Sequence, residues 1–107
     1  MIARVLSTRY DVTVAPDGLQ GLEIAAATPP PDLIITDVMM PVLDGIRMVQ
    51  RIKALDRGAR LPIIFLTARK APEDVIAGIK VGARSYLMKP VKIEELYTRV
   101  ERALGSP

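Results

Sequence analysis

Three polar side chains follow apolar runs of the sequence, and together they could carry out one reaction. Asp37 follows LIIT, Thr67 follows IIFL, and Lys89 follows SYLM. A carboxylate can attack phosphorus and form an acyl phosphate, while a hydroxyl and an ammonium can bind the peripheral phosphoryl oxygens. A divalent cation, for which Mg²⁺ is the expected choice, would offset the charges of carboxylate and phosphate. These residue types predict a phosphoryl-transfer site with Asp37 as the nucleophile.

Short aliphatic runs alternate with helical patterns along the chain, and these elements must position the three groups. The patterns predict strands at 10–14, 33–38, 63–68 and 85–90, and helices at 19–27, from a cap at Asp44 to about 55, from about 72 to 82, and at 93–104. Strands separated by helices form right-handed βαβ units, so we expect an α/β fold with a parallel sheet and helices on both faces. In such sheets functional groups gather beyond the carboxyl ends of the strands, where the three polar residues fall.

The composition bounds the class of protein. The 107 residues suit one domain, residues 1–107, without a linker or an internal repeat. The chain has no cysteine and no histidine, which excludes a disulfide scaffold and the commonest transition-metal ligands. No apolar run approaches the roughly 20 residues of a membrane span, and these features favour the cytoplasm. The net charge of +3 is scattered among acids and aromatic residues are few, so we expect no direct nucleic-acid binding.

Three segments in this order, ITDVMMPVLDG, PIIFLTA and GARSYLMKP, resemble the signature of two-component response-regulator receiver domains. The resemblance runs from about residue 1 to residue 104 with its spacing intact. It implies a flavodoxin-like (CheY-like), doubly wound sheet. It also implies a signalling switch that takes a phosphoryl group from a histidine kinase or a phosphotransfer protein. Such a switch catalyses only its own phosphotransfer and dephosphorylation, so the resemblance implies that the chain is not otherwise an enzyme.

The resemblance also assigns roles to individual residues. It implies that Asp37 is the phosphoacceptor, Thr67 the hydroxyl that binds the phosphoryl group, and Lys89 the lysine that pairs with it. The backbone carbonyl of Met39 would be a Mg²⁺ ligand together with Asp37. Tyr86 lies where the family places an aromatic switch residue that turns inward when the hydroxyl moves. A half-buried tyrosine without a switching role is the alternative at this position.

The sequence departs from the family pattern at its beginning. The family opens with a buried strand that ends in two adjacent acids, which supply further Mg²⁺ ligands, whereas MIARVLSTRY resembles the last turns of the first helix. We therefore expect about four strands and weak Mg²⁺ binding. In the family's strand order, 2-1-3-4-5, the missing strand lies between 10–14 and 33–38. Either these two strands close up and pair, or a second copy covers the exposed edges as a homodimer, or the sequence is an incomplete version of a longer protein.

Two other functions are considered beside the phosphorylated switch. A degenerate receiver could act as a phosphorylation-independent interaction module, which the missing acids favour and the three strand-end residues oppose. An aspartyl-phosphate phosphatase needs a second acid two residues after its nucleophile, and that position here is Met39. The switch therefore remains the leading interpretation.

Overall fold

A computed structural model describes residues 2–38, 43–55, 58–67, 80 and 82–105. The helices and strands within these ranges are α1 (Ile2–Leu6), α2 (Gly18–Ala26), β1 (Ile34–Asp37), α3 (Gly45–Lys53), a 3₁₀ turn (Gly58–Arg60), β2 (Ile63–Thr67), β3 (Ser85–Met88) and α4 (Ile93–Gly105). The helix predicted from about residue 72 and the carbonyl of Met39 lie outside the described residues. Among the described residues, no helix is long and apolar enough to cross a membrane.

The three strands form one parallel sheet in the order β1-β2-β3. Ile35 is in register with Ile64, and Phe65 is in register with Tyr86. The central strand β2 is buried at every position, as its uninterrupted run of apolar residues predicts for a strand covered on both faces. The parallel sheet predicted from the alternation of strands and helices is confirmed.

Each face of the sheet is covered by a separate apolar cluster, because side chains of successive strand residues point to opposite faces. We call the first the α3 face, which includes Ile63 and Phe65 of β2 together with Val49 and Ile52 of α3. The second is the α4 face, where α1 and α4 pack; its buried members are Leu6, Ile64, Leu66, Leu87, Leu96, Val100 and Ala103. Helices thus cover both faces, as predicted for a doubly wound sheet.

Two of the helices begin at a capping aspartate. The Asp17 side chain accepts a hydrogen bond of 2.9 Å from the backbone N–H of Gln20, and Asp44 accepts one of 2.8 Å from that of Arg47. Such caps satisfy donors that the first turn of a helix leaves without partners. The prediction that Asp44 is a helix cap is confirmed.

The strand predicted at 10–14 is wrong. Residues 11–15 belong to no helix or strand, and the sheet in the described part of the chain contains three strands rather than four. A strand requires a neighbour about 4.7–4.9 Å away that can share its hydrogen bonds. Within the described ranges β1 pairs with β2 alone, so of the three alternatives the one in which 10–14 closes up and pairs with β1 is not what the structure has. The apolar–polar alternation of YDVTV favoured a strand, but the alternation supplies no hydrogen-bonding neighbour.

Candidate phosphoacceptor site

The parallel sheet places the three strand-end residues at one edge. Asp37 ends β1, Thr67 ends β2, and Lys89 directly follows β3. The backbone N–H of Lys89 donates a hydrogen bond of 2.8 Å to the backbone oxygen of Thr67. The Nζ atom of Lys89 lies 2.6 Å from Oδ1 of Asp37. The lysine side chain therefore reaches from the end of β3 to the carboxylate at the end of β1, while Thr67 is joined to Lys89 through the backbone.

The side chains of Asp37 and Lys89 are partly exposed, although the Asp37 Oδ1 atom that faces the lysine is buried, whereas the whole of Thr67 is buried. The side chains of Asp37 and Lys89 are 41% and 51% exposed, and Thr67 is only 2% exposed. Ion pairs with this much solvent contact contribute about 0–1 kcal/mol to stability. The contact between Lys89 and Asp37 therefore adds little stability and leaves two opposite charges, both partly open to solvent, at the carboxyl edge of the sheet.

A close approach of two elements fixes the carboxyl end of β1. Gly45 begins α3, and its backbone N–H donates a hydrogen bond of 2.8 Å to the backbone oxygen of Val38. A Cβ atom at position 45 would collide with the backbone oxygen of Asp37. Only glycine lets the helix start this close to the strand end that carries the carboxylate.

Tyr86 packs beside the site on the α3 face. Its ring stacks on that of Phe65, with centroids 6.0 Å apart and an angle of 17° between the planes. Because Phe65 and Thr67 alternate with Leu66, Tyr86 and Thr67 share one face of the sheet. The Tyr86 hydroxyl is buried and has no hydrogen-bond partner in the described part of the chain. Burial raises the pKa of this phenol above its ordinary value of 10.0.

Arg99 makes contacts with β3 that were not predicted from the sequence. From α4 its guanidinium donates hydrogen bonds to the hydroxyl of Ser85 and, at 3.4 Å, to the backbone oxygen of Tyr86. It also pairs with Glu95 at 3.5 Å. The spacing of Glu95 and Arg99 by four residues on the predicted helix is a signal that could have predicted the ion pair, but the sequence-based prediction did not include it. The contact with β3 depends on how α4 packs on the sheet, which the sequence does not specify.

The residues described here give a metal ion few ligands. They include no group of three or more acidic side chains that could hold a metal ion. Asp37 can be one oxygen ligand, and Mg²⁺ commonly binds through one or two carboxylates, several waters and the substrate phosphate. The donor set therefore fits a Mg²⁺ ion that gets most of its ligands from water and phosphate.

The parallel α/β fold and the three strand-end residues, Asp37, Thr67 and Lys89, are typical of α/β domains that accept a phosphoryl group. The sequence pattern of one such family matches this chain. The family described as response regulator receiver domain matches residues 1–101. The chain therefore belongs to the response regulator receiver domain family, whose members act as phosphorylation-controlled switches in two-component signalling. The resemblance to receiver domains that the three sequence segments indicated is confirmed.

Relatives carry this domain within longer proteins. The chain is 40% identical over 96% of its length to the uncharacterized transcriptional regulatory protein YkoG of Bacillus subtilis, of which it covers 46%. It is 38% identical over 94% of its length to the sensor histidine kinase TmoS of Ectopseudomonas mendocina, of which it covers 10%. The chain thus spans half the length or less of these curated relatives.

Solved structures agree with the fold. The receiver domain of the sensor histidine kinase PA1611 from Pseudomonas aeruginosa, solved with a magnesium ion in its active site cleft, is 37% identical and has a TM-score of 0.89. That comparison covers 98% of this chain and 86% of the other. A putative response regulator from Chloroflexus aurantiacus is 35% identical with a TM-score of 0.88, covering 95% and 84% of the two chains.

Proposed function

We propose that residues 1–107 form a receiver domain that acts in the cytoplasm and is phosphorylated on Asp37. The observation that carries this proposal is the 2.6 Å ion pair between Lys89 and Asp37 at the carboxyl ends of the strands. This contact supports the proposal, because it brings a cation that could bind an incoming phosphoryl group beside a partly exposed carboxylate. We further propose that the chain has no enzymatic activity beyond its own phosphotransfer and dephosphorylation.

The reaction we propose exchanges one phosphorus bond for another. An oxygen of the Asp37 carboxylate attacks the phosphorus of a phosphohistidine, the P–N bond breaks with its electron pair going to the imidazole, and an aspartyl phosphate remains. Lys89 moves its charge from the carboxylate to a phosphoryl oxygen. Thr67 donates its hydroxyl to another phosphoryl oxygen. Hydrolysis, in which water attacks the phosphorus, returns the carboxylate and releases inorganic phosphate.

The partners follow from this chemistry. The phosphoryl donor we propose is a histidine kinase or a phosphotransfer protein. For signal output we propose that Thr67 and Tyr86 act as a switch pair. The Tyr86 hydroxyl already lies buried beside Phe65 in this structure, and we propose that binding of the phosphoryl group by Thr67 favours this inward position and so changes the surface beside β3. The relatives include a transcriptional regulatory protein and a sensor histidine kinase. The receiver itself is proposed to make no direct nucleic-acid contact, and a homodimer through a sheet edge is a further proposal.

A Mg²⁺ ion, when bound, would supply charge neutralisation at the phosphoryl group, with Asp37 and the Met39 carbonyl as protein ligands. We propose that the affinity is weak, because the described residues offer no acidic pair beside Asp37. Titration of Mg²⁺ while following tyrosine fluorescence tests this proposal. Binding that saturates at micromolar concentrations would contradict it.

The central experiment is incubation with acetyl phosphate and Mg²⁺, read by intact mass. We expect an adduct of about 80 Da, one phosphoryl group, that is lost in Asp37→Asn. Asp17→Asn is the matched control, because Asp17 is a helix cap and asparagine caps equally well. Lys89→Ala should slow adduct formation without moving it to another residue. An adduct that persists in Asp37→Asn would show that the assigned nucleophile is wrong.

A second candidate function is supported by one observation, the sparse metal ligands of the described site. A receiver that cannot hold Mg²⁺ would act as a phosphorylation-independent interaction module. The same mass experiment separates the two functions. Absence of any adduct at saturating acetyl phosphate and Mg²⁺ would favour the interaction module.

A further inference from the structure

The amino end of the sheet, opposite to the edge that carries Asp37, brings two basic residues together. Lys53 ends α3, and its Nζ atom donates a hydrogen bond of 2.7 Å to the backbone oxygen of Leu61, two residues before β2 begins. Arg84 directly precedes β3, and its backbone N–H donates a hydrogen bond of 2.9 Å to the backbone oxygen of Ile63. Both residues are thus attached to the same short stretch of chain at the start of the central strand.

These two attachments keep two positive charges near each other. Backbone oxygens two residues apart along a chain are separated by at most about 7 Å, so the bonds to Leu61 and Ile63 bring Lys53 and Arg84 close together. Burial lowers the pKa of the Lys53 ammonium, and the charge of Arg84 lowers it further. The ammonium and the guanidinium therefore repel each other at this end of the sheet.

The arginines at this end have no acidic partner in the described part of the chain, where no ion pair includes Arg60 or Arg84. Both arginines are exposed, and Arg60 directly precedes Leu61 along the chain. Like charges held close together cost free energy, which an anion bound between them would offset. A guanidinium can donate two parallel hydrogen bonds to a phosphate group, and an ammonium can pair with it as a point charge.

We propose that Lys53 and Arg84 form a binding site for a phosphate group, as inorganic phosphate or as a phosphate monoester, at the amino end of the sheet. Two adjacent cations suit one doubly charged oxyanion better than an extended acidic peptide, which needs a row of basic side chains. Arg60 adds positive potential beside them. This site goes beyond the proposed function, because it lies at the opposite end of the strands from Asp37 and its occupancy does not require phosphorylation there.

NMR of the full chain, titrated with inorganic phosphate at constant ionic strength, tests the site. We expect the side-chain resonances of Lys53 and Arg84 to shift together and to saturate, and the pKa of Lys53 to rise when phosphate is bound. Arg84→Gln keeps the backbone bond to Ile63 but removes the guanidinium, and should weaken binding at least about tenfold. Arg102→Gln, which removes the same charge from an exposed position on α4, is the matched control and should leave the affinity unchanged.

A parallel titration with glycerol 3-phosphate distinguishes the two forms of the ligand. Tighter binding of inorganic phosphate would identify the free ion as the ligand, and tighter binding of glycerol 3-phosphate would identify a monoester. Either result supports a site for a phosphate group, provided that Arg84→Gln weakens it.

Two results would overturn the proposal. If the resonances of Lys53 shift no more than those of the exposed Lys92, phosphate does not bind at the amino end of the sheet. If Arg84→Gln and Arg102→Gln weaken binding equally, the net charge of the chain attracts phosphate and there is no defined site. Phosphate that binds at the opposite edge is detected separately by the resonances of Lys89, so failure here would leave the phosphoacceptor assignment untouched.

Discussion

β1 and β2 have similar sequences but different surroundings. Both are runs of aliphatic residues that end in a polar side chain, IITD in one and IIFLT in the other. All five residues of β2 are buried, whereas Thr36 is the only buried residue of the four in β1. The sequence of a strand thus indicates how much burial its side chains favour, and the elements packed around the strand determine how much of it is buried.

The largest difference in stability loss between β1 and β2 is expected for Ile35 and Ile64, which are in register. Ile64→Ala empties a fully buried position and should lower the free energy of unfolding by about 2–5 kcal/mol. Ile35→Ala, the matched change on β1, removes a half-exposed side chain and should cost clearly less. Urea unfolding followed by circular dichroism measures both. Equal losses would mean that β1 is covered in solution.

The carboxyl end of β1 should tolerate an added side-chain atom far less than the half-exposed Ile35 position tolerates truncation. Gly45→Ala places a methyl group against the backbone oxygen of Asp37, and we expect a loss of about 2 kcal/mol or more because backbone cannot move aside cheaply. Gly105→Ala is the control, since a Cβ there meets no atom of the described residues within 4 Å. Thermal unfolding of both variants gives the comparison. A Gly45→Ala variant as stable as the control would refute the tight junction of β1 and α3.

The smallest effect concerns Tyr86, which stacks on the central strand. Tyr86→Phe removes a buried hydroxyl that has no partner in the described part of the chain, and we expect it to raise stability near neutral pH by about 1 kcal/mol. Because the folded pKa of the phenol is raised above 10.0, the native state holds this proton more tightly than the unfolded chain. Stability is therefore full below pH 10.0 and falls as the pH rises through the folded pKa.

Tyr86→Phe should lose less stability at alkaline pH than the unsubstituted protein, because it lacks the phenol whose ionisation destabilises the fold. Urea midpoints of both proteins, measured from pH 8 to above the ordinary tyrosine pKa of 10.0, make the test. Parallel curves for the two proteins would show that Tyr86 titrates as it does in the unfolded chain.

Local sequence patterns predicted those features of the molecule that depend only on residues close together in the chain. Uninterrupted aliphatic runs indicated β2 and the core of β1, and an aspartate before a glycine indicated where α3 begins. The meeting of Asp37 and Lys89 followed from parallel topology alone. Residues 11–15 show the limit, because an alternating pattern fits a strand only if a neighbour is present to share its hydrogen bonds. Arg99 could not be assigned to β3 in advance, since its contact depends on the position at which α4 crosses the sheet.

The guanidinium of Arg99 also makes the two edge strands of the described sheet, β1 and β3, unequal in their capacity to pair with a strand of another chain. By occupying the Tyr86 carbonyl it takes up an acceptor that an approaching strand would need at β3. An edge strand whose backbone acceptor is already occupied is a poorer template for a second strand. In the described part of the chain Arg99 therefore protects β3 from strand pairing by another chain in a way that β1 is not protected.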